Sequence, residues 1–285
     1  MSYRWWSSCR TTTGRLRQVN EDAYLNMHDI GLWLIADGMG GHARGDVASR
    51  IVVESFSEIG KPHSLEEFTA AVKGRLQRAN QRINDEILRT GYDQFMGSTV
   101  VAFLVFKREW CCLWAGDSRA YLMRDGRLRQ ITRDHSVAQE MVENGQLRQD
   151  EAVQHPMANR ITRAVGARNE LALDEYRSSL RDGDAFLLCS DGLYKEVSDH
   201  ELAAILEAYD CDEASLELLD LTLERGARDN VTVAVIRFEA TTGFGDVAAD
   251  DTQVNHELAD GYLDTVARVR AAKRLPVFLP QDRRV

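Results

Sequence analysis

The sequence predicts an α+β fold with antiparallel sheets. Short β-branched apolar runs are separated by Gly and Asp turns, amphipathic patterns of helical period stand between some of them, and one pair of runs faces across an Asp-Gly turn. No internal repeat or low-complexity segment interrupts this pattern.

In chain order, Leu32–Ala36 is the first apolar strand. From Leu65 to Leu88 the side chains Leu65, Phe68, Val72, Leu76, Ala79, Ile83 and Ile87 share one helical face, and Ser64-x-x-Glu67 reads as its capping box. Thr99–Phe106 and Cys111–Ala115 are strands, and Ala120–Arg124 pairs with Leu128–Thr132 across Asp125-Gly126. A polar, helix-containing stretch follows from Val137 through Gly145 to His155-Pro156. Ala185–Cys189 is a strand, Ser198-x-x-Glu201 opens a helix running to about Ala208, and Val231–Phe238 is the last strand. Beyond it, Glu239 to Asp251 is rich in Gly, Ala and Asp. An amphipathic stretch around Leu258–Val269 then precedes a basic, Pro-containing end. Residues 1–240 read as one folded domain and 241–285 as an appendage, partly helical or disordered.

Composition narrows the partners. A chain of 285 residues with 44% hydrophobic content can build one sizeable core. The net charge of −10 and pI near 5.3 provide no cationic footprint for nucleic acid or an acidic membrane surface. The longest apolar run, Val100 to Phe106, is far short of the about 20 residues that span a bilayer, and Met1-Ser-Tyr-Arg-Trp-Trp lacks a signal core, so the expected location is cytoplasmic. The five cysteines (Cys9, Cys111, Cys112, Cys189 and Cys211) show no metal-binding spacing and read as buried thiols in a reducing compartment.

The chemistry lies in where the aspartates stand. Asp37 ends the run Leu-Trp-Leu-Ile-Ala, Asp117 follows Cys-Leu-Trp-Ala-Gly, Asp191 follows Phe-Leu-Leu-Cys-Ser, and Asp229 precedes the strand opening Asn230-Val-Thr-Val. Neighbouring strands lie about 4.7–4.9 Å apart, so carboxylates at adjacent strand ends can share an ion. Two ions separated by about 3.5–4 Å can share a bridging carboxylate. Acids so close repel unless cations neutralise them. Oxygen-only donors favour Mg²⁺ or Mn²⁺ over Zn²⁺. Any single Asp-Gly, such as Asp182-Gly183, is ordinarily only a turn. Other signals fail: Gly60-Lys61 lacks the upstream glycine of a P-loop, His256-Glu257 has no second His, and no β-α-β repeats follow Gly38–Gly41.

Seven segments occur in a telling order: Arg17-Gln-Val-Asn-Glu-Asp22, Asp37-Gly-Met-Gly-Gly-His42, Gly97-Ser-Thr, Ala115-Gly-Asp-Ser-Arg-Ala120, Thr132-Arg-Asp-His-Ser136, Ser190-Asp-Gly-Leu193 and Gly226-Ala-Arg-Asp-Asn230. In this the chain resembles the metal-dependent (type 2C) serine/threonine protein phosphatases, especially the compact bacterial members, over about residues 8 to 238. The resemblance implies a four-layer α-β-β-α sandwich, two antiparallel sheets flanked by helices, with metals in a cleft at one edge. It implies a phosphoric monoester hydrolase that removes phosphate from phosphoserine and phosphothreonine by attack of a water bridging two metal ions, without a phosphoenzyme. Asp37 matches the bridging ligand, Gly38 a ligand through its carbonyl, and Asp191 and Asp229 the ligands of the other ion. Glu21 and Asp22 match acids that hold metal-bound waters, and Asp117 a ligand of a third, weaker ion. Arg17 matches the guanidinium that binds the substrate phosphate, and His42 is a candidate for leaving-group protonation or substrate positioning. His135 and the other histidines read as structural. The stretch from Ser136 to Ile161 matches a variable flap beside the active site. The resemblance further implies a monomer in bacterial signalling, whose partners are phosphoproteins, a Hanks-type Ser/Thr kinase and its targets, in some relatives within type VI secretion clusters. Two alternatives stay open: a type 2C fold serving as a binding module without catalysis, and a different two-metal hydrolase.

Overall fold

In a computed structural model, described over residues 2–40, 44–90, 96–148, 151, 155–158 and 160–241, the strands explain the layering. The run Val100–Phe106 carries no polar residue, and successive side chains of a strand point to opposite faces, so both faces must be covered. Val101, Phe103 and Val105 enter one core cluster, while Val100, Ala102 and Leu104 enter another.

One sheet has the order β1 (Ser2–Thr12), β11 (Val231–Thr241), β10 (Ala185–Cys189), β7 (Arg119–Arg124), β8 (Arg127–Gln130). The other has the order β2 (Asp22–Met27), β3 (Leu32–Gly40), β5 (Val100–Phe106), β6 (Glu109–Ala115), β9 (Asp174–Ser179), and the short β4 (Met96–Ser98) pairs with the end of β3. All of these pairings are antiparallel. Helices α1 (Gly45–Glu54) and α2 (Leu65–Thr90) cover the second sheet, placing Ala48, Val52, Phe68, Val72 and Leu76 against Leu32, Leu34 and Leu104. Helices α5 (Asp199–Ala208) and α6 (Cys211–Glu224) cover the first, placing Leu202, Leu206 and Leu218 against Leu187, Val233 and Val235. Two further, short α-helices among the described residues are α3 (Val137–Glu143) and α4 (Asp191–Tyr194). The four layers and antiparallel sheets are those expected, and Met1–Gly243 is one compact unit. The appendage from residue 242 onward lies outside the described residues, as does His42.

The core between the sheets is aromatic. Phe103 and Phe186 approach to 4.2 Å between ring centroids, Trp110 lies 5.2 Å from Phe186, and Phe238 lies 5.7 Å from it. Each such pair adds about 0.5–1.5 kcal/mol beyond the area it buries. Cys111, Cys112, Cys189 and Cys211 are buried and Cys9 is half-buried, all as free thiols. Burial pushes the thiols up, Cys111 to about 11 and Cys9 and Cys211 to about 12.

Candidate active site

Strand register gathers the acids. Asp22 opens β2 directly opposite Asp37 of β3, so both stand at the same end of the second sheet. In the first sheet Cys189 pairs with both Arg119 and Val233, which brings Asp117, Asp191 and Asp229 to corresponding strand ends. Between these ends lies a cleft of about 490 Å³, lined by Arg17, Glu21, Asp37, Asp117, Asp191 and Asp229.

The backbone under Asp37 is fixed on both sides. Its N–H donates to Thr99 Oγ1 (3.1 Å), and its carbonyl accepts from the Thr99 N–H (2.8 Å) and Ser98 Oγ (3.1 Å). Gly38 follows because no side chain fits: a Cβ there would stand 2.0 Å from the Gly45 carbonyl oxygen and 2.6 Å from that of Glu21. Glu21 in turn accepts from the Gly45 N–H through Oε1 at 3.1 Å, at the positive end of α1.

Asp22 lies behind the cleft and does not line it. Its Oδ2 accepts from Ser190 Oγ and Thr232 Oγ1, each at 2.7 Å, while its buried Oδ1 has no partner. Burial pushes this carboxyl up to about 7, and it pushes Asp117, whose Oδ1 is also without a partner, to about 7. Asp37 is held well above the carboxylate range, first by burial and then by Asp22, Asp191, Asp117 and Asp229. Burial likewise raises Asp191 and Glu21.

Among the described residues three bases line the cleft, Lys195, Arg17 and Arg163, of which Arg163 donates to Asp174 Oδ1 at 2.6 Å. Lys195 Nζ donates to Asp191 Oδ2, four residues earlier, and Arg17 Nη2 donates to Asp229 Oδ2 at 2.9 Å. Asn230 fastens the segment that carries Arg17. Its Nδ2 donates to the carbonyls of Thr13 (2.9 Å) and Val19 (3.0 Å), and its Oδ1 accepts from the Glu21 N–H (2.8 Å).

On the opposite wall, His135 steadies the Gly116-Asp117 turn. Its Nδ1 accepts from the Gly116 N–H at 3.2 Å, its Nε2 stands 3.2 Å from Asp174, and its ring stacks on Trp114. The strap at 160–163 is tied to the same place, since the Thr162 N–H donates to the His135 carbonyl and the Val137 N–H to that of Arg160.

The donor set fits hard divalent cations. Its ligand atoms are oxygens, two buried carboxylate oxygens have no partner, and the acids outnumber the bases, a surplus that inward-bound cations would neutralise. No three acids among the described residues close on one point, and Asp191 and Asp229 each give one carboxylate oxygen to a base. Of the residues predicted from sequence, Arg17, Glu21, Asp37, Gly38, Asp117, Asp191 and Asp229 line the cleft, Asp22 backs it, and His42 is outside the described residues. Sequence reasoning missed Lys195 and the roles of Asn230, Ser190 and Thr232. The i,i+4 spacing of Asp191 and Lys195 is the one signal that pointed to such a contact.

The Protein phosphatase 2C family model matches residues 13–228. The chain is 32% identical over 243 residues to the serine/threonine phosphatase stp of Listeria monocytogenes, covering 81% of this chain and 95% of that protein. Among solved structures, PppA, a key regulatory component of T6SS in Pseudomonas aeruginosa, is similar with a TM-score of 0.77 at 42% identity, covering 84% of this chain and 98% of that one. The catalytic domain of the serine threonine protein phosphatase PstP in complex with two manganese ions is similar with a TM-score of 0.73 at 33% identity, covering 84% of this chain and all of that one (100%).

Proposed function

Because the chain belongs to the protein phosphatase 2C family, we propose that it removes phosphate from phosphoserine and phosphothreonine in proteins with the aid of two divalent cations, Mg²⁺ or Mn²⁺. The observation that carries this reading is the convergence of Asp37, Asp117, Asp191 and Asp229 on one cleft with Arg17.

Asp37, through its carboxylate, and Gly38, through its carbonyl, hold the cations together with Asp191 and Asp229, and Asp117 serves a third, weaker site. When bound, such ions lower the pKa of water toward neutrality and offset charge on the phosphoryl oxygens. Glu21 orients water at the cleft wall, and Asp22 supports the floor through Ser190 and Thr232. Arg17, half-exposed at the cleft and anchored on one side to Asp229, offers its remaining N–H groups to the substrate phosphate. His42 supplies a proton to the departing serine or threonine oxygen or positions the substrate. Residues 1–240 form the catalytic domain and 241–285 an appendage. The chain acts as a cytoplasmic monomer that reverses a bacterial Ser/Thr kinase. No helix among the described residues is long and apolar enough to cross a membrane.

The test is phosphate release from a phosphothreonine peptide with Mn²⁺ or Mg²⁺, against EDTA and against Asp191→Ala. Metal-dependent release that collapses in the variant is expected. A folded protein that releases no phosphate with either metal from several phosphopeptides would move the reading to a binding module.

A further inference from the structure

At the edge of the sandwich where β8 ends one sheet and β9 ends the other lies a second cavity of about 550 Å³. Arg124, Asp125, Arg127, Arg129, Tyr176 and Ser178 line it over Leu122. The arginines are not equivalent. Arg124 is committed, donating to both carboxylate oxygens of Asp184 at 2.6 Å and to the Ser179 carbonyl at 3.0 Å. Arg127 and Arg129 are exposed and have no acidic partner among the described residues, and Arg129 touches only the Tyr176 hydroxyl (3.3 Å) and ring. Asp125, at the turn, faces Arg181 at 3.9 Å. On a chain of net charge −10, two guanidinium groups without an ion-pair partner among the described residues, beside a half-exposed tyrosine, outnumber the one acid lining the groove, Asp125, and form a local cationic patch.

The backbone of β8 points the same way. The Ile131 N–H donates to the Ala120 carbonyl at 2.7 Å, and the register pairs Leu122 with Arg129 and Arg124 with Arg127. Hydrogen-bonded pairs alternate in an antiparallel ladder, so Leu128 and Gln130 direct their N–H and C=O groups away from β7, where no strand pairs with them. Leu128 packs toward the helices, which leaves Arg127 and Arg129 on the face turned to β9. A polypeptide added along this edge would meet free backbone donors and acceptors, with the two arginines beside it.

We infer that this groove docks an extended acidic segment of the phosphoprotein substrate, which adds as a strand to β8 and sets its carboxylates on Arg127 and Arg129. The free backbone edge selects a peptide over other polyanions. The identity of the occupant as substrate rests on the phosphatase reading; the docking itself does not. β7 separates the groove from Asp117 by roughly 20 Å, so the acidic stretch would stand about six or more extended residues from the phosphorylated one.

The probe is a fluorescein-labelled peptide of alternating Glu and Val, followed by fluorescence anisotropy on the full chain and on R127E/R129E, with p-nitrophenyl phosphate hydrolysis measured on both. The variant should bind at least about ten-fold more weakly while hydrolysing p-nitrophenyl phosphate at the wild-type rate. A version with proline at alternate positions, which lacks the N–H groups a strand donates, should also bind weakly. Equal affinity in wild type and variant, undiminished binding of the proline peptide, or displacement by a short phosphothreonine peptide held in the catalytic cleft would each overturn the proposal. Absence of p-nitrophenyl phosphate hydrolysis in the wild type would instead count against the phosphatase reading and leave the binding result to stand.

Discussion

The inter-sheet core and the catalytic cleft are built from the same strands, four residues apart on β3, where Trp33 lies in the one and Asp37 in the other. In the core, aromatic rings meet at 4.2 to 6.4 Å and the side chains are apolar apart from groups such as the unpartnered indole N–H of Trp33 and of Trp110, which carry no charge. At the strand ends, acids are buried beside acids, two carboxylate oxygens have no partner, and burial raises the proton affinity of the group. Stability and chemistry are thus separated along the strand axis, and the rigid core holds in place an end that repels itself.

The largest effect should come from Asp37→Asn. Phosphate release is expected to fall on the order of 10³-fold, the scale of losing a group that acts on transferring charge. The melting temperature in EDTA should hold or rise, because Asn replaces a buried carboxyl whose ionised form burial and its acidic neighbours disfavour. A clear drop in that temperature would break the separation. Phe186→Ala should do the reverse. It is expected to cost about 3–5 kcal/mol in urea unfolding, with turnover per folded molecule unchanged at a temperature where the variant stays folded.

The pH dependence sharpens the contrast. Asp22 and Asp117 bind protons up to about 7 in the folded chain, whereas the unfolded chain releases them above about 4. The folded state therefore holds more protons across that window, and metal-free stability should fall as pH rises from about 4 to about 7. Melting in EDTA between pH 5 and pH 8 measures this, and a midpoint that rises with pH would contradict it. Saturating Mn²⁺ should weaken or invert the trend, since cations compete with the protons. The smallest change should follow Asn230→Ala, at the residue that ties the Arg17 segment to the start of β11. Loss of its three hydrogen bonds is expected to cost about 2 kcal/mol and to raise KM for a phosphopeptide more than it lowers kcat, because the segment bearing Arg17 loosens.

Much of this was legible in the sequence. Apolar runs such as Val100–Phe106 and Ala185–Cys189 declare buried strands, and the aspartates at their ends declare the cleft. Strands β1, β2 and β9 were not read because they are half-polar: Asp-Glu-Tyr-Arg-Ser-Ser in β9 is largely exposed, and register, not hydrophobicity, places it. Helix α1 was hidden by its β-branched Ile51-Val-Val, and α6 was overlooked although Asp210 caps it by accepting from the Glu213 N–H at 2.9 Å. The tie from Asn230 to Thr13 and Val19 spans more than 200 residues, beyond the reach of any local pattern.

The thiols carry a different consequence. Peroxides attack the thiolate, and a thiol raised to about 11 or 12 presents on the order of 10⁻⁴ of itself in that form near neutral pH. No cysteine lines the cleft. Under oxidation, the hydrolysis proposed for this chain should therefore persist where enzymes that depend on a reactive thiol lose their activity.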